Sequence, residues 1–284
     1  MSAPAAPPPG AAPDWTIDQA WSAYSAEEHR TWVTLYERQL GILPGRACDP
    51  FLRGLDALDL HGDGIPDFAR INTELNRLTG WTVVAVPGLV PDDVFFHHLS
   101  ERRFPAGQFI RRADQLDYLQ EPDIFHDVFG HVPMLTDPTF ADYMQAYGKG
   151  GLRALGFDRL HNLARLYWYT VEFGLLDTPE GLRIYGAGIV SSKAESVFAL
   201  DDPSPNRLGF DLARVMRTPY RIDDFQQAYF VIASLERLLD ATVNTDFAPL
   251  YARLSRAKDI PIAAIEPDDR VYTHGTQAYA LERV

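Results

Sequence analysis

Glu172 lies in the run "YWYTVEFG", with Tyr167, Trp168, Tyr169, Val171 and Phe173 as its neighbours. An unpaired carboxylate placed among such side chains costs several kcal/mol. Any fold that packs this segment must therefore bring a cation to Glu172 from elsewhere in the chain. Two sources are open: an Arg or Lys side chain, or a metal ion held jointly with other residues. Cys48 is the only cysteine, so neither a disulfide framework nor a multi-cysteine zinc site can form within one chain, and a metal would have to rely on His, Asp or Glu.

The stretch "EPDIFHDVFGHVPML" offers two imidazoles, His126 and His131. Two His and one carboxylate on one side of a metal leave positions open for oxygen or substrate, the arrangement of mononuclear iron(II) sites. The spacing is unfavourable for a regular helix, because five residues at 3.6 per turn leave the side chains about 140° apart. Helical zinc-protease ligands stand four apart instead. Gly130 and Pro133 can loosen the helix locally.

Of the residues, 46% are hydrophobic and 23% charged, as in ordinary globular proteins. A formal charge of -13 and a pI near 5.0 exclude a protein devoted to nucleic acid phosphates or anionic lipid, which demand a basic face. The start, "MSAPAAPPPGAAPDW", lacks a basic opening and an apolar core, and no run of about 18 apolar residues occurs. A cytoplasmic protein with no membrane partner is expected. Residues 1–13 read as a flexible Pro/Ala-rich tail.

From Trp15 onward helical periodicity prevails. It places Trp21, Tyr24, Trp32, Leu35, Tyr36 and Gln39 on one face and those aromatics in the core. "FLRGLDALDL" repeats the pattern, "HGDGIPDF" breaks it, and "FARINTELNRLTG" resumes it until Gly80, an expected C-cap. "WTVVAVPG" is the best strand, "DDVFFHHLSERRF" opens a short helix on Asp92 or Asp93, and "QFIRR" is a second short strand. Further helices are predicted in "PTFADYMQAYGKGGLRAL", "RLHNLARLYWYTVEFGLL" and "IDDFQQAYFVIASLERLLDATV", with "RIYGAGIVSS" extended. The fold class is thus mainly α with a small β-sheet, in one domain. The last residues carry no apolar heptads for a coiled-coil arm, so a monomer is expected.

Three segments in order, "QEPDIFHDVFGHVPML", "YWYTVEFGLL" and "YGAGIVSSKAE", resemble the pterin-dependent aromatic amino acid hydroxylases, and the similarity runs from about Trp15 to about Leu239. The resemblance implies that family's catalytic fold as a single catalytic domain over 14–284. It also implies iron(II) held by His126, His131 and Glu172, with tetrahydrobiopterin or a related tetrahydropterin as second cofactor. Arg111 in "FIRRADQ" matches the residue that grips the substrate carboxylate, a task suited to a planar guanidinium. Trp168 and Phe173 resemble the lining of the ring pocket. Ser191 and Glu195 resemble the pair behind iron and substrate, Ser191 as a hydrogen-bond partner of a ligand histidine. Tyr167 would sit near the iron and orient a water.

For the pterin, the resemblance assigns backbone contacts to Gly88 and Leu89 and ring stacking to Phe95. Asp127 stands where the animal enzymes have glutamate, an acid one methylene longer, so its contact with pterin is either direct or through a bridging water. The implied reaction is para-hydroxylation of L-phenylalanine to L-tyrosine with O2. Tyrosine and tryptophan hydroxylases share the iron motif; Ile222 favours phenylalanine, because an aliphatic wall gives a phenol no partner. A zinc-dependent hydrolase using the same three ligands is the alternative from another class, and it leaves Arg111, Phe95 and the aromatic pocket without a purpose.

Overall fold

A computed structural model describes residues 6–60, 63–117 and 121–283. Helix predominates, as the periodicity predicts, and the chain divides into two compact units: residues 1–40 with 49–153, and residues 41–48 with 154–284. Among the described residues no helix is long and apolar enough to cross a membrane.

The first unit contains α1 (Ala26–Leu40), α2 (Asp49–Ala57), α3 (Phe68–Thr79), β1 (Thr82–Val86), α4 (Asp92–Ser100), β2 (Arg103–Gly107) and α5 (Pro138–Ala154). Asp67 caps α3 by accepting from Ala69 N–H, and Gly80 ends it at φ 74°, the left-handed C-cap expected from sequence. β1 and β2 pair in parallel. "QFIRR" is not a strand, because the pairing falls on the preceding "RFPAG". Pro105 conceals that strand from a sequence reading, and a two-stranded sheet tolerates it because both strands are edges.

Trp32, Phe51, Phe125 and Phe129 are fully buried in this unit. Phe125 and Phe129 stack 4.7 Å apart at 10°, with Trp32 edge-on to Phe125. α2 lies so near the chain after His131 that a Cβ on Gly54 would stand 2.1 Å from the Pro133 carbonyl oxygen. Trp21 departs from expectation. It belongs to a separate 3-10 turn, Trp21–Ala23, is 43% exposed, and is held by its indole N–H donating to Ile65 O at 2.7 Å. Tyr24 is only half-buried. Of the expected tail, residues 1–5 lie outside the described residues, as do residues 61–62 of the expected break.

The second unit runs α6 (Leu160–Tyr167), β3 (Gly174–Thr178), β4 (Gly181–Ile184), α7 (Ala187–Val190), α8 (Lys193–Asp201), β5 (Asn206–Gly209), α9 (Leu212–Met216), β6 (Ala228–Ile232), α10 (Leu235–Val243), α11 (Phe247–Leu254), β7 (Val271–Thr273) and α12 (Ala278–Leu281). Its sheet has the order β4-β3-β6-β5-β7, parallel across β3/β6 and β6/β5 and antiparallel at both rims. The helix expected from Ile222 to Val243 is therefore two elements. "AYFVI" is the central strand, buried at all five positions, and a strand covered on both faces shows no alternation by which to recognise it. Ser234 then caps α10 by accepting from Arg237 N–H. "RIYGAGIVSS", expected to be extended, is strand only at Arg183 and Ile184, the end of β4, and then forms the short α7.

Candidate functional site

The difficulty with the histidine spacing disappears in the backbone. Phe125–His131 is a π-helical turn rather than an α-helix. Bonding to the fifth residue widens the turn, so side chains five apart come to overlie one another, and such turns concentrate at functional sites. The Nε2 atoms of His126 and His131 stand 3.2 Å apart. Donors on adjacent positions of one ion with bonds of about 2.1 Å would be separated by about that much, and donors on opposite sides by about 4.2 Å.

Glu172 closes a second π-helical turn, Trp168–Glu172, in which Phe173 N–H donates to Trp168 O five residues back at 2.8 Å. The ligating atoms of His126, His131 and Glu172 all lie within 4.8 Å of one another, and this is the one such trio of His, Cys, Asp or Glu among the described residues. Glu172 is half-buried rather than buried, and His131 is 5% exposed. Two imidazoles and a carboxylate, at these separations, fit a single divalent iron.

The glycines after Glu172 have a steric reason. A Cβ on Gly186 would lie 2.4 Å from Glu172 O, and one on Gly188 would lie 2.8 Å from Phe173 Cζ. "YGAG" is thus the bare surface against which the segment carrying Glu172 and Phe173 rests.

Arg111 is 9% exposed, so a solvated surface charge is excluded. Its Nε and Nη2 donate to Asp123 Oδ2 and Oδ1, both at 2.8 Å, and its backbone N–H donates to Oδ2 at 2.9 Å. Asp123 has no exposure, and its Oδ1 also accepts from His126 N–H at 3.1 Å. Burial opposes the charge on Asp123, but the Arg111 guanidinium and the two backbone donors outweigh it and hold the carboxyl below its usual range. Nη1 reaches Leu116 O at 3.4 Å. Among the described residues these bonds engage one N–H on each terminal nitrogen, and a guanidinium can offer its remaining N–H groups to a carboxylate in bidentate fashion. Asp123 escaped the sequence reading, although it lies in the same "EPDI" that introduces His126.

Trp168 is held on three sides. Its ring stacks on Tyr220 at 4.3 Å and 13°, tilts against Phe173 at 4.8 Å, and its indole N–H donates to Gln226 Oε1 at 3.0 Å. Tyr220 and Gln226 were not foreseen, since neither carries a motif. Tyr167 ends α6 and is half-buried. Ile222 lies on the loop between α9 and β6 and is 68% exposed. Ser191 Oγ donates to Ala187 O at 2.7 Å. On the first unit, Gly88 and Leu89 follow β1, Leu89 being 73% exposed, and Phe95 on α4 is half-buried. Asp127 Oδ2 accepts from Gly107 N–H at 2.7 Å, which fixes its carboxylate to the end of β2.

Glu195, in the first turn of α8, is 6% exposed and accepts a hydrogen bond from Tyr229 OH. Burial pushes its carboxyl up from the usual 4.5 to about 7, against the bonds from Tyr229 and the Gln226 backbone. The native state then holds the proton more tightly than the unfolded chain, so stability falls as pH rises from about 4.5 to about 7. Glu195→Gln cannot ionise. Its melting temperature should gain on that of the wild type between pH 5 and pH 8, measured by thermal unfolding; a gap that stays constant would mean that Glu195 does not titrate there.

A family model described as the biopterin-dependent aromatic amino acid hydroxylases matches residues 19–250. The chain is 75% identical over 274 residues to phenylalanine-4-hydroxylase of Caulobacter vibrioides, covering 96% of this chain and 93% of that one. A crystal structure of phenylalanine hydroxylase from Chromobacterium violaceum with iron and phenylalanine bound matches at TM-score 0.88 and 58% identity, covering 92% of this chain and 94% of that one. Another from the same organism, with bound Fe(III), gives TM-score 0.89 at 60% identity, covering 91% and 94%. With these likenesses added to the ligand trio and its two π turns, the chain belongs to the biopterin-dependent aromatic amino acid hydroxylases.

Proposed function

We propose that this chain hydroxylates L-phenylalanine to L-tyrosine with O2 and a tetrahydropterin, and that the residues assigned above divide the work as follows. The observation that carries the reading is the convergence of His126, His131 and Glu172. These three would hold a ferrous ion, which together with the reduced pterin supplies the redox chemistry that splits O2.

The rest falls to side chains that bind and orient. Arg111 receives the substrate carboxylate on its end-on edge, and because Asp123 already fixes the other edge, little side-chain freedom is lost on binding. Trp168 and Phe173 offer the amino acid ring an apolar face, with Ile222 on the loop that follows Tyr220. An unsubstituted ring suits such a lining better than a phenol does. Ser191 and Glu195 support the site from behind, and Tyr167 orients water at the ligand cluster. Gly88 and Leu89 present backbone groups to the pterin, Phe95 its ring, and Asp127 a carboxylate aimed by Gly107 N–H. The same reading has residues 14–284 working as one catalytic domain in a cytoplasmic monomer.

Protein loaded with Fe(II) and given phenylalanine, O2 and tetrahydropterin should release tyrosine in step with pterin oxidation, followed by chromatography. Iron-loaded protein that forms no tyrosine would overturn the reading. Preferred turnover of tyrosine or tryptophan would move it within the family.

A further inference from the structure

The family match ends at residue 250, yet the segment after β7 is bound to the loop that holds Trp168. Gly275 admits it to β5: its N–H donates to Asn206 Oδ1 at 2.8 Å, and a Cβ there would stand 2.2 Å from Ser204 O. Gln277 N–H then donates to Ser204 O at 2.9 Å and Tyr279 N–H to Ser204 Oγ at 3.0 Å. The Tyr279 ring completes a cluster with Phe198 and Phe225, which stack 4.4 Å apart and lie 5.2 and 5.1 Å from it. Its hydroxyl donates to Asp224 Oδ1 at 2.8 Å, and Arg283 Nη1 reaches the same oxygen at 3.1 Å.

Asp224 joins the tail to the loop. The tail holds its side chain, whose Oδ1 also accepts from Phe225 N–H at 2.9 Å, and its carbonyl oxygen accepts from Gln226 Nε2 at 3.3 Å, as does Arg221 O at 2.9 Å. Gln226 is 2% exposed. Two loop carbonyls demand its amide nitrogen, so its amide oxygen must point the other way, towards the Trp168 indole N–H. A loop free to shift would release that constraint and let the Gln226 amide and the Trp168–Tyr220 stack move together. Gln277 Nε2 adds a bond to Gln227 O at 3.1 Å, at the end of the same loop.

We infer that Tyr279, assisted by Arg283, is a positioning residue for the amino acid substrate, acting through Asp224 and Gln226 to set the Trp168 face. This rests on the function proposed above. The Arg283 side chain is 59% exposed, so its ion pair adds little; the tyrosine hydroxyl bonded to a carboxylate 12% exposed is the stronger tie.

The test uses the iron-loaded, full-length enzyme. Tyr279→Phe keeps the ring cluster and removes the hydroxyl; truncation after Thr276 removes the tail and leaves β7. Tyr279→Phe should raise the phenylalanine KM about threefold and the truncation about tenfold, with pterin KM and bound iron within about twofold of wild type. Equilibrium binding of labelled phenylalanine should weaken by the same factors without any turnover. Asp224→Ala should reproduce the split, and adding Tyr279→Phe to it should change nothing more, because both act through one bond. The inference is overturned if phenylalanine KM and binding are unchanged in Tyr279→Phe, if both KM values and iron content shift together, or if the two substitutions add. If the truncated chain does not fold, Tyr279→Phe and the cycle with Asp224→Ala decide. Wild-type protein that forms no tyrosine would overturn the functional reading, and this inference with it.

Discussion

Glu172→Ala will give a folded protein that keeps no iron and loses at least about a thousandfold in turnover, since it removes the anionic member of a three-residue ligand set. His126→Ala and His131→Ala should do the same. Each ligand sits in a π turn whose backbone bonds do not depend on the side chain, and His126 and Glu172 are only half-buried. Little packing is therefore lost, and circular dichroism should stay near that of the wild type. Of the three, Glu172 carries the heaviest electrostatic load, because two neutral imidazoles leave the charge of a dication uncompensated. Metal analysis after loading and desalting checks the expectation. A variant that retains one equivalent of iron would remove that residue from the ligand set.

Asp123→Ala should be among the most damaging single changes to the first unit's stability. It strands the Arg111 guanidinium, 9% exposed, and removes the acceptor for two backbone N–H groups. Removing one member of a buried ion pair costs about 3–5 kcal/mol, which for a chain of this size lowers the melting temperature by about 5–10 °C. Because the Asp123 carboxyl is held below its unfolded value, its contribution is complete above the ordinary aspartate range. It fades only as pH falls through the lowered folded value. The deficit of the variant should consequently be constant from about pH 6 to pH 8 and narrow in acid. Thermal melts across that range measure it, and a variant as stable as the wild type at neutral pH would show that the pair contributes nothing net. Phenylalanine KM should rise as well, because the edge of Arg111 that faces Asp123 would no longer be fixed.

Individual elements show why parts of this molecule can be read from sequence and others cannot. α3 was legible from end to end, since Gly80 and the apolar spacing are local signals that the backbone obeys locally. β2 and β6 were not. One contains a proline that only an edge tolerates, and the other is a continuous apolar run whose identity as a strand depends on β3 and β5 lying beside it. Trp21 was misplaced because periodicity cannot see that Tyr24 and Ser25 separate it from α1. In the site, Glu172 stood out by its apolar neighbours and the two histidines as its possible co-ligands, and a resemblance joined the three, while helical geometry argued against the pair. The spacing is wrong for an α-helix and right for the wider turn that forms. Asp123, Tyr220 and Gln226 were missed for another reason. They act on Arg111, His126 and Trp168 by hydrogen bonds and stacking, and such support is written in distances rather than in residue types.

The two π turns also bear on how a site of this kind can be acquired or lost. A turn of this sort equals an α-helix with one residue too many: if the same residues settled into an ordinary α-helical ladder of backbone bonds, the five-residue spacing would set His131 about 140° round from His126. Catalysis and helical regularity are in conflict at these two places. Elsewhere in the chain a tidier helix is a gain, but here it would be the signature of a dead enzyme.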